Sequence, residues 1–206
     1  MKQFLLKARG TRFLFLALLG LGVGSTGLAS VALPPGSGPT VMVGSTSAAE
    51  ADLGGTVIHD QLIPFKIVGA GGAVLYAGNL QNRVVKSTRT GDLHFYYRVR
   101  DTKGGLNGVI DAVRTHGFQQ FPKIMADWRP DGLGVIHPHT VERSPGAGAF
   151  ITFNFPPYGS LIMSSGAESK FFYLKTLAKK FTLNGHTMIH LKTGQMAHLQ
   201  TAMPQL

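Results

Sequence analysis

Residues Leu93 to Arg100 (LHFYYRVR) alternate along their length. Successive side chains of a strand point to opposite faces, so Leu93, Phe95, Tyr97 and Val99 are expected in a core. His94, Tyr96, Arg98 and Arg100 are then expected in water. Ala149 to Phe155 repeats the pattern, with Ile151, Phe153 and Phe155 on one side and Phe150, Thr152 and Asn154 on the other. In Lys170 to Thr176, Phe172 and Leu174 face inward. One apolar and one polar face per strand is the mark of an antiparallel sheet, because parallel sheets are buried on both faces.

Further strands are predicted at Thr56–His59, Pro64–Val68, Val74–Leu80, Arg83–Ser87, Val109–His116, Lys123–Asp127 and Val141–Arg143, with Thr40–Val43 as a short extra one. Gly- and Pro-containing turns separate them: Gly71-Gly72, Thr90-Gly91-Asp92, Lys103-Gly104-Gly105, Arg129-Pro130-Asp131-Gly132, Ser144-Pro145-Gly146 and Pro156-Pro157. Asn184-Gly185, between Phe181–Leu183 and His186–Leu191, predicts a hairpin, since both residues tolerate the positive φ of a type I′ turn. Helical signals are confined to Leu177–Phe181 and to Leu106–Arg114, the latter also readable as a strand; no window carries a capped 3.6-residue period. The pattern defines an all-β protein, an antiparallel β-sandwich with jelly-roll-like connections expected.

The ends read differently. Lys2, Lys7, Arg9 and Arg12 precede an uncharged apolar run of eleven residues, Phe13 to Val23, followed by small residues up to Ala32 and the pair Pro34-Pro35. A basic start, a short apolar stretch and a small-x-small site form a secretory signal peptide, assigned to residues 1–32 with cutting after Ala32 and, as second choice, near Ala29. A retained anchor is the alternative, but spanning a bilayer takes about 20 apolar residues. The prediction is an exported protein, secreted or periplasmic, with no transmembrane segment in its mature part. Residues 33–55 are rich in Gly, Pro, Ser, Thr and Ala and read as a flexible lead-in, 56–192 as the sandwich, and 193–206 as a tail.

The chain has 206 residues and no cysteine, so its core must stabilise it without disulfides, which suits a bacterial exported domain. Its formal charge is +10, but four of the twenty basic residues lie in the first twelve positions. The remainder are scattered, with Lys179-Lys180 the close pair, so nucleic-acid binding is not expected and weak attraction to anionic polysaccharide or lipid is.

Complete chemical motifs are missing. The glycines of Ile67 to Val74 stop short of a dinucleotide fingerprint, because Val74 stands where its third glycine belongs, and a glycine turn between strands is expected instead; no cofactor is implied. Tyr158-Gly159-Ser160 and Met163-Ser164-Ser165-Gly166 are not nucleophile elbows. His137 and His139, at i and i+2, are candidate metal ligands, although Pro138 between them favours a loop and more ligands would be needed. His186 and His190 would stand about 13 Å apart on a strand, too far for one metal. Asp127 and Asp131 flank Trp128 and Arg129 and are the candidate pair of acids for a glycosidase, against the commoner role of aspartate in turns. Trp128, Arg129 and Tyr158 are the candidate ligand-binding residues, an aromatic ring beside a cation suiting a sugar; packing at the core edge is the alternative for Trp128.

Five stretches carry a resemblance: VLYAGNLQNRVV (Val74–Val85), TGDLHFYYRV (Thr90–Val99), DGLG (Asp131–Gly134), FNF (Phe153–Phe155) and ESKFFYLKT (Glu168–Thr176). Together they resemble secreted β-sandwich domains of bacterial exported proteins, many of which carry a C-terminal PEP-CTERM sorting segment. The likeness covers residues 56–192 and implies a fold and an exported setting without catalytic residues; the sorting segment itself is missing here. The expected function is a non-enzymatic module of the cell envelope or exterior that binds carbohydrate, or another envelope or matrix component. The alternative is an exported polysaccharide hydrolase using Asp127 and Asp131, and pairing through strand edges is a third reading.

Overall fold

The computed structural model describes residues 29–156 and 159–206. Most of the segment read as a leader, residues 1–28, lies outside the described residues, as does Tyr158. Thirteen strands run in chain order as β1 (Val31–Ala32), β2 (Thr40–Val41), β3 (Gly55–Val68), β4 (Val74–Ser87), β5 (Leu93–Arg100), β6 (Val109–His116), β7 (Met125–Trp128), β8 (Thr140–Arg143), β9 (Phe150–Asn154), β10 (Met163–Ser164), β11 (Phe172–Lys175), β12 (Lys180–Leu191) and β13 (Met196–Gln205). They form two antiparallel sheets. The first has the order β1-β7-β11-β5-β4-β3; the second has β13-β12-β6-β9-β8-β2, with β10 paired to β6. The chain is therefore an antiparallel β-sandwich, and among the described residues no helix is long and apolar enough to cross a membrane. The long outer strands pair as sequence neighbours, β3 with β4 and β12 with β13, whereas β5 pairs with β11 and β6 with β9 and β12 because the chain changes sheet repeatedly between them.

The predicted inward faces make the core. Phe95, Tyr97 and Val99 of β5 meet Ile151 and Phe153 of β9 and Phe172 and Leu174 of β11, all fully buried. Phe172 anchors an aromatic stack, its ring 4.7 Å from Phe153 and 5.9 Å from Tyr97. Each such side chain contributes about 1.5–3 kcal/mol by leaving water. Tyr97 Oη, Thr115, Thr187 and Thr201 hydrogen-bond to one another inside the sandwich, so their hydroxyls are buried without being orphaned.

Three expectations change. Thr56–His59 and Pro64–Val68 are one strand, β3, and Val74–Leu80 and Arg83–Ser87 are one strand, β4. Pro64 is tolerated because β3 is the sheet edge and a missing N–H there breaks no inter-strand bond. Asn184-Gly185 is no hairpin turn but a bulge within β12, where Thr182 pairs with Met203 and Gly185 with Thr201. The chain reverses instead at Thr193-Gly194, where Gly194 has φ +91°. Residues 193–206, read as a tail, hold β13, and Leu199 and Ala202 enter the core.

The segment read as a flexible lead-in is packed. Leu33 and Met42 enter the main core, and Leu53 joins Val85, Tyr96 and Tyr173 in a second, smaller cluster on the outer face of the first sheet. His94, Tyr96 and Arg98, expected in water, are all buried: Leu53 packs on Tyr96 and Glu50 and Asp52 stand near His94, while Arg98 is enclosed by Glu168, Ser169 and Phe171. Arg143 fixes the lead-in segment from the other side. It is 2% exposed and donates to the carbonyls of Gly148, Leu33, Pro122, Phe118 and Phe121 at 2.8–3.2 Å. Five charge-assisted bonds to carbonyl dipoles replace the carboxylate that a buried guanidinium usually needs.

Candidate functional site

The alternation of β5 places Arg98 and Arg100 on the outer face of the first sheet. Register sets Arg83 of β4 opposite Tyr96 and Gln81 opposite Arg98. Arg129 follows the end of β7, and Phe171 precedes β11. These side chains line one groove of about 500 Å³, with Arg83, Arg98, Arg100 and Arg129 around Tyr96 and Phe171. A second groove of about 650 Å³ shares Arg98, Arg100 and Leu133 with the first and extends it past Val135 and Ala167. Leu133 and Val135 stand exposed along its rim.

Each guanidinium is held by a carboxylate. Arg83 pairs with Asp60 at 2.6 Å, Arg98 with Glu168 at 2.6 Å, Arg100 with Asp101 at 3.0 Å and Arg129 with Asp131 at 2.7 Å. Of the four acids only Asp131 lines the first groove; the other three sit outside that lining. The lining of the first groove thus holds four guanidiniums and one carboxylate, and Glu168 lines the extension beyond it. Phe171 is flanked by two cations, with the Arg83 guanidinium 4.8 Å and that of Arg98 5.8 Å from its ring centre. Stacking on an aromatic face and pairing at one edge fix the planes of these side chains, so little freedom remains to be lost on binding. Arg83 Nε is buried with no hydrogen-bond partner.

The residues singled out in the sequence divide between two places. Arg129 and Asp131 are in the groove. Arg129 forks Asp131, with Nε to Oδ1 at 2.8 Å and Nη2 to Oδ2 at 2.7 Å, and its Nη1 reaches Tyr96 Oη at 3.5 Å. The hydrogen bonds from Arg129 hold the Asp131 carboxyl below its ordinary range, against a smaller opposing effect of burial. Burial works against the charge of Arg129, and the hydrogen bonds and charge interactions with Asp131 and Tyr96 together outweigh it, so the guanidinium is held even more firmly protonated. Asp131 is therefore a fixed anion, the opposite of what a general acid needs at neutral pH.

Asp127 is elsewhere. It is fully buried beneath residues 44 and 45. Its Oδ1 accepts from the backbone N–H groups of Gly44 and Trp128, both at 2.8 Å, and its Oδ2 from Ser45 Oγ at 2.8 Å. Burial raises its carboxyl pKa despite these bonds. It clamps the lead-in segment onto β7 and lines no part of the groove.

Trp128 points away from the groove, against the main core. The ring of His137 stacks on it at 4.0 Å and 8°. Its other neighbour is Gly44, φ +86°, where a Cβ would stand 2.8 Å from the indole. Trp128 is thus enclosed between a glycine and a histidine, the core-edge role weighed for it in the sequence. His139 is exposed two residues from His137, and among the described residues no group of three or more His, Asp or Glu side chains converges to hold a metal.

Sequence reasoning missed Arg83, Arg98, Arg100 and Phe171. The alternation of β5 marks Arg98 and Arg100 as outward neighbours, but only the register of β4 on β5 and the chain entering β11 bring Arg83 and Phe171 to them. No family model, no curated protein and no solved structure matches this chain, so the class of the protein rests on its own geometry: an antiparallel β-sandwich with an arginine-lined groove on one outer face.

Proposed function

We propose that the protein is an exported, non-enzymatic binding module that takes an acidic polysaccharide, one carrying carboxylate or sulfate groups, along the arginine groove. The observation that carries this reading is the excess of guanidinium along one groove: Arg83, Arg98, Arg100 and Arg129 line it with Asp131, and Glu168 joins the lining where the groove extends past Val135. Guanidinium presents a planar fork of N–H donors that matches a carboxylate or sulfate better than the point charge of lysine does. Extension of the groove past Leu133 and Val135 suits a chain of sugars more than a single small molecule. The leader assigned to residues 1–32 supports an address outside the cytoplasm, where such polymers occur. The acid pair needed for hydrolysis finds no support in the groove, since Asp127 is buried away from it and Asp131 is held ionised.

The test is a glycan array that includes uronate-bearing, sulfated and neutral oligosaccharides. Wild-type protein is expected to bind acidic members, and the Arg83→Ala/Arg100→Ala double variant to lose that binding while keeping its fold by circular dichroism. Retention confined to neutral sugars, or binding unchanged in the double variant, would refute the assignment.

A further inference from the structure

The first described residues, from Ala29, lie inside the segment assigned to the leader. Ala29 is exposed, but Ser30 is 5% exposed. The backbone nitrogen of Ser30 donates to Glu50 Oε1. Its hydroxyl donates to the same oxygen at 2.6 Å and shares a hydrogen bond with Tyr173 Oη at 3.0 Å. Val31 and Ala32 then pair with Ala126 and Met125 as the edge strand β1. Leu33, fully buried, donates to the Ile124 carbonyl at 2.8 Å. A cut after Ala32 would remove this strand, strip Glu50 Oε1 of its donors from Ser30, and leave a charged terminus on a buried leucine.

Charge points to the same residue. Among the described residues Glu50 and Asp52 share a single cation, Lys175, whose Nζ contacts Glu50 Oε2 and stands 2.7 Å from Asp52 Oδ2. The Glu50 side chain is only 11% exposed. His94, on the neighbouring strand, is buried and favours its neutral form, and Asp127 lies near enough to feel Glu50. The cluster of Glu50, Asp52 and Lys175 therefore carries one surplus negative charge in a largely enclosed position, and the atom placed to balance it is the nitrogen of Ser30.

We infer that the chain is processed between Ala29 and Ser30, and that the α-ammonium of Ser30 so created is seated on the Glu50 carboxylate as a buried ion pair that completes the fold. This rests on the exported reading above. Gly27 and Ala29 supply the small residues at the third and first positions before the cut. Hydrolysis adds water across the Ala29–Ser30 amide, leaving a carboxylate on Ala29 and an amine on Ser30. The amine takes a proton at neutral pH, since a free α-amino group has a pKa of about 7.7–8.0. Because the folded domain buries Ser30, the cut precedes folding, as it does for a chain exported unfolded.

The experiment expresses the full chain in a bacterium with an intact general export pathway and sequences the amino terminus of the recovered protein. Ser30 as first residue is the expected result. Leu33, or any other new terminus, overturns the inference and leaves export standing. A chain that stays in the cytoplasm and still starts at Met1 overturns both. For the processed protein, acylation of the α-amine at pH 7 is expected to run at least about tenfold slower in the folded state than in urea, the effect of raising its pKa by one unit. Equal rates would overturn the seating on Glu50.

Discussion

At the scale of single residues, burial decides chemistry more than residue type does. Asp127 and Asp131 are four positions apart, yet one is a clamp under a loop and the other a fixed counter-ion in the groove. His94 shows the same control. It sits opposite Lys175 across β5 and β11, with Asp92, Glu50 and Asp52 around it. Burial is the main force lowering its pKa to about 4, Lys175 adds to that, and the three acids oppose it. The unfolded chain therefore takes up a proton near pH 6.5 that the folded one refuses until about pH 4. Stability from His94 is complete above that window and falls as pH drops through it, by on the order of 3 kcal/mol in all. Denaturant unfolding of wild type and His94→Gln between pH 7 and about 4 is expected to show a flatter profile for the variant. His186 and His190, whose pKa values burial also lowers, are common to both proteins and cancel in the comparison. Parallel profiles would show that His94 ionises equally in both states.

At the scale of elements, alternation made the central strands legible. Leu93–Arg100, with Phe95, Tyr97 and Val99 inward, is read correctly because one face must leave water whatever its partner. The other face was misread because alternation carries no information on what covers it. Here residues 168–171 cover Arg98, and a Gly- and Ser-rich segment covers Tyr96 through Leu53, held by three apolar anchors, Leu33, Met42 and Leu53, too sparse to form a pattern. Asn184-Gly185 misled for a related reason: the pair permits a turn, but glycine also permits a close approach. A Cβ at Gly185 would stand 2.8 Å from both the Thr201 carbonyl and Met203 Cβ. Gly185→Val is therefore expected to cost about 1–3 kcal/mol through overpacking, measured as a loss in thermal or urea midpoint. An unchanged midpoint would mean that the bulge can open at no cost.

At the scale of the whole molecule, the sandwich turns scattered basic residues into a site. Arg83, Arg98, Arg100 and Arg129 span nearly fifty positions and form no basic run, so charge patterning along the chain predicted only weak attraction to anionic surfaces. The fold gathers them through the β4–β5 register and the end of β7, and Phe171 and the flanking carboxylates fix their planes. Recognition of negative charge by this groove is the central claim. Titration calorimetry of wild-type protein with an oligogalacturonate, and with the same oligomer methyl-esterified to remove its charge, tests it directly. Binding to the free acid that vanishes on esterification and weakens with added salt is the predicted result. Equal binding of the two, or binding of neither, would contradict it.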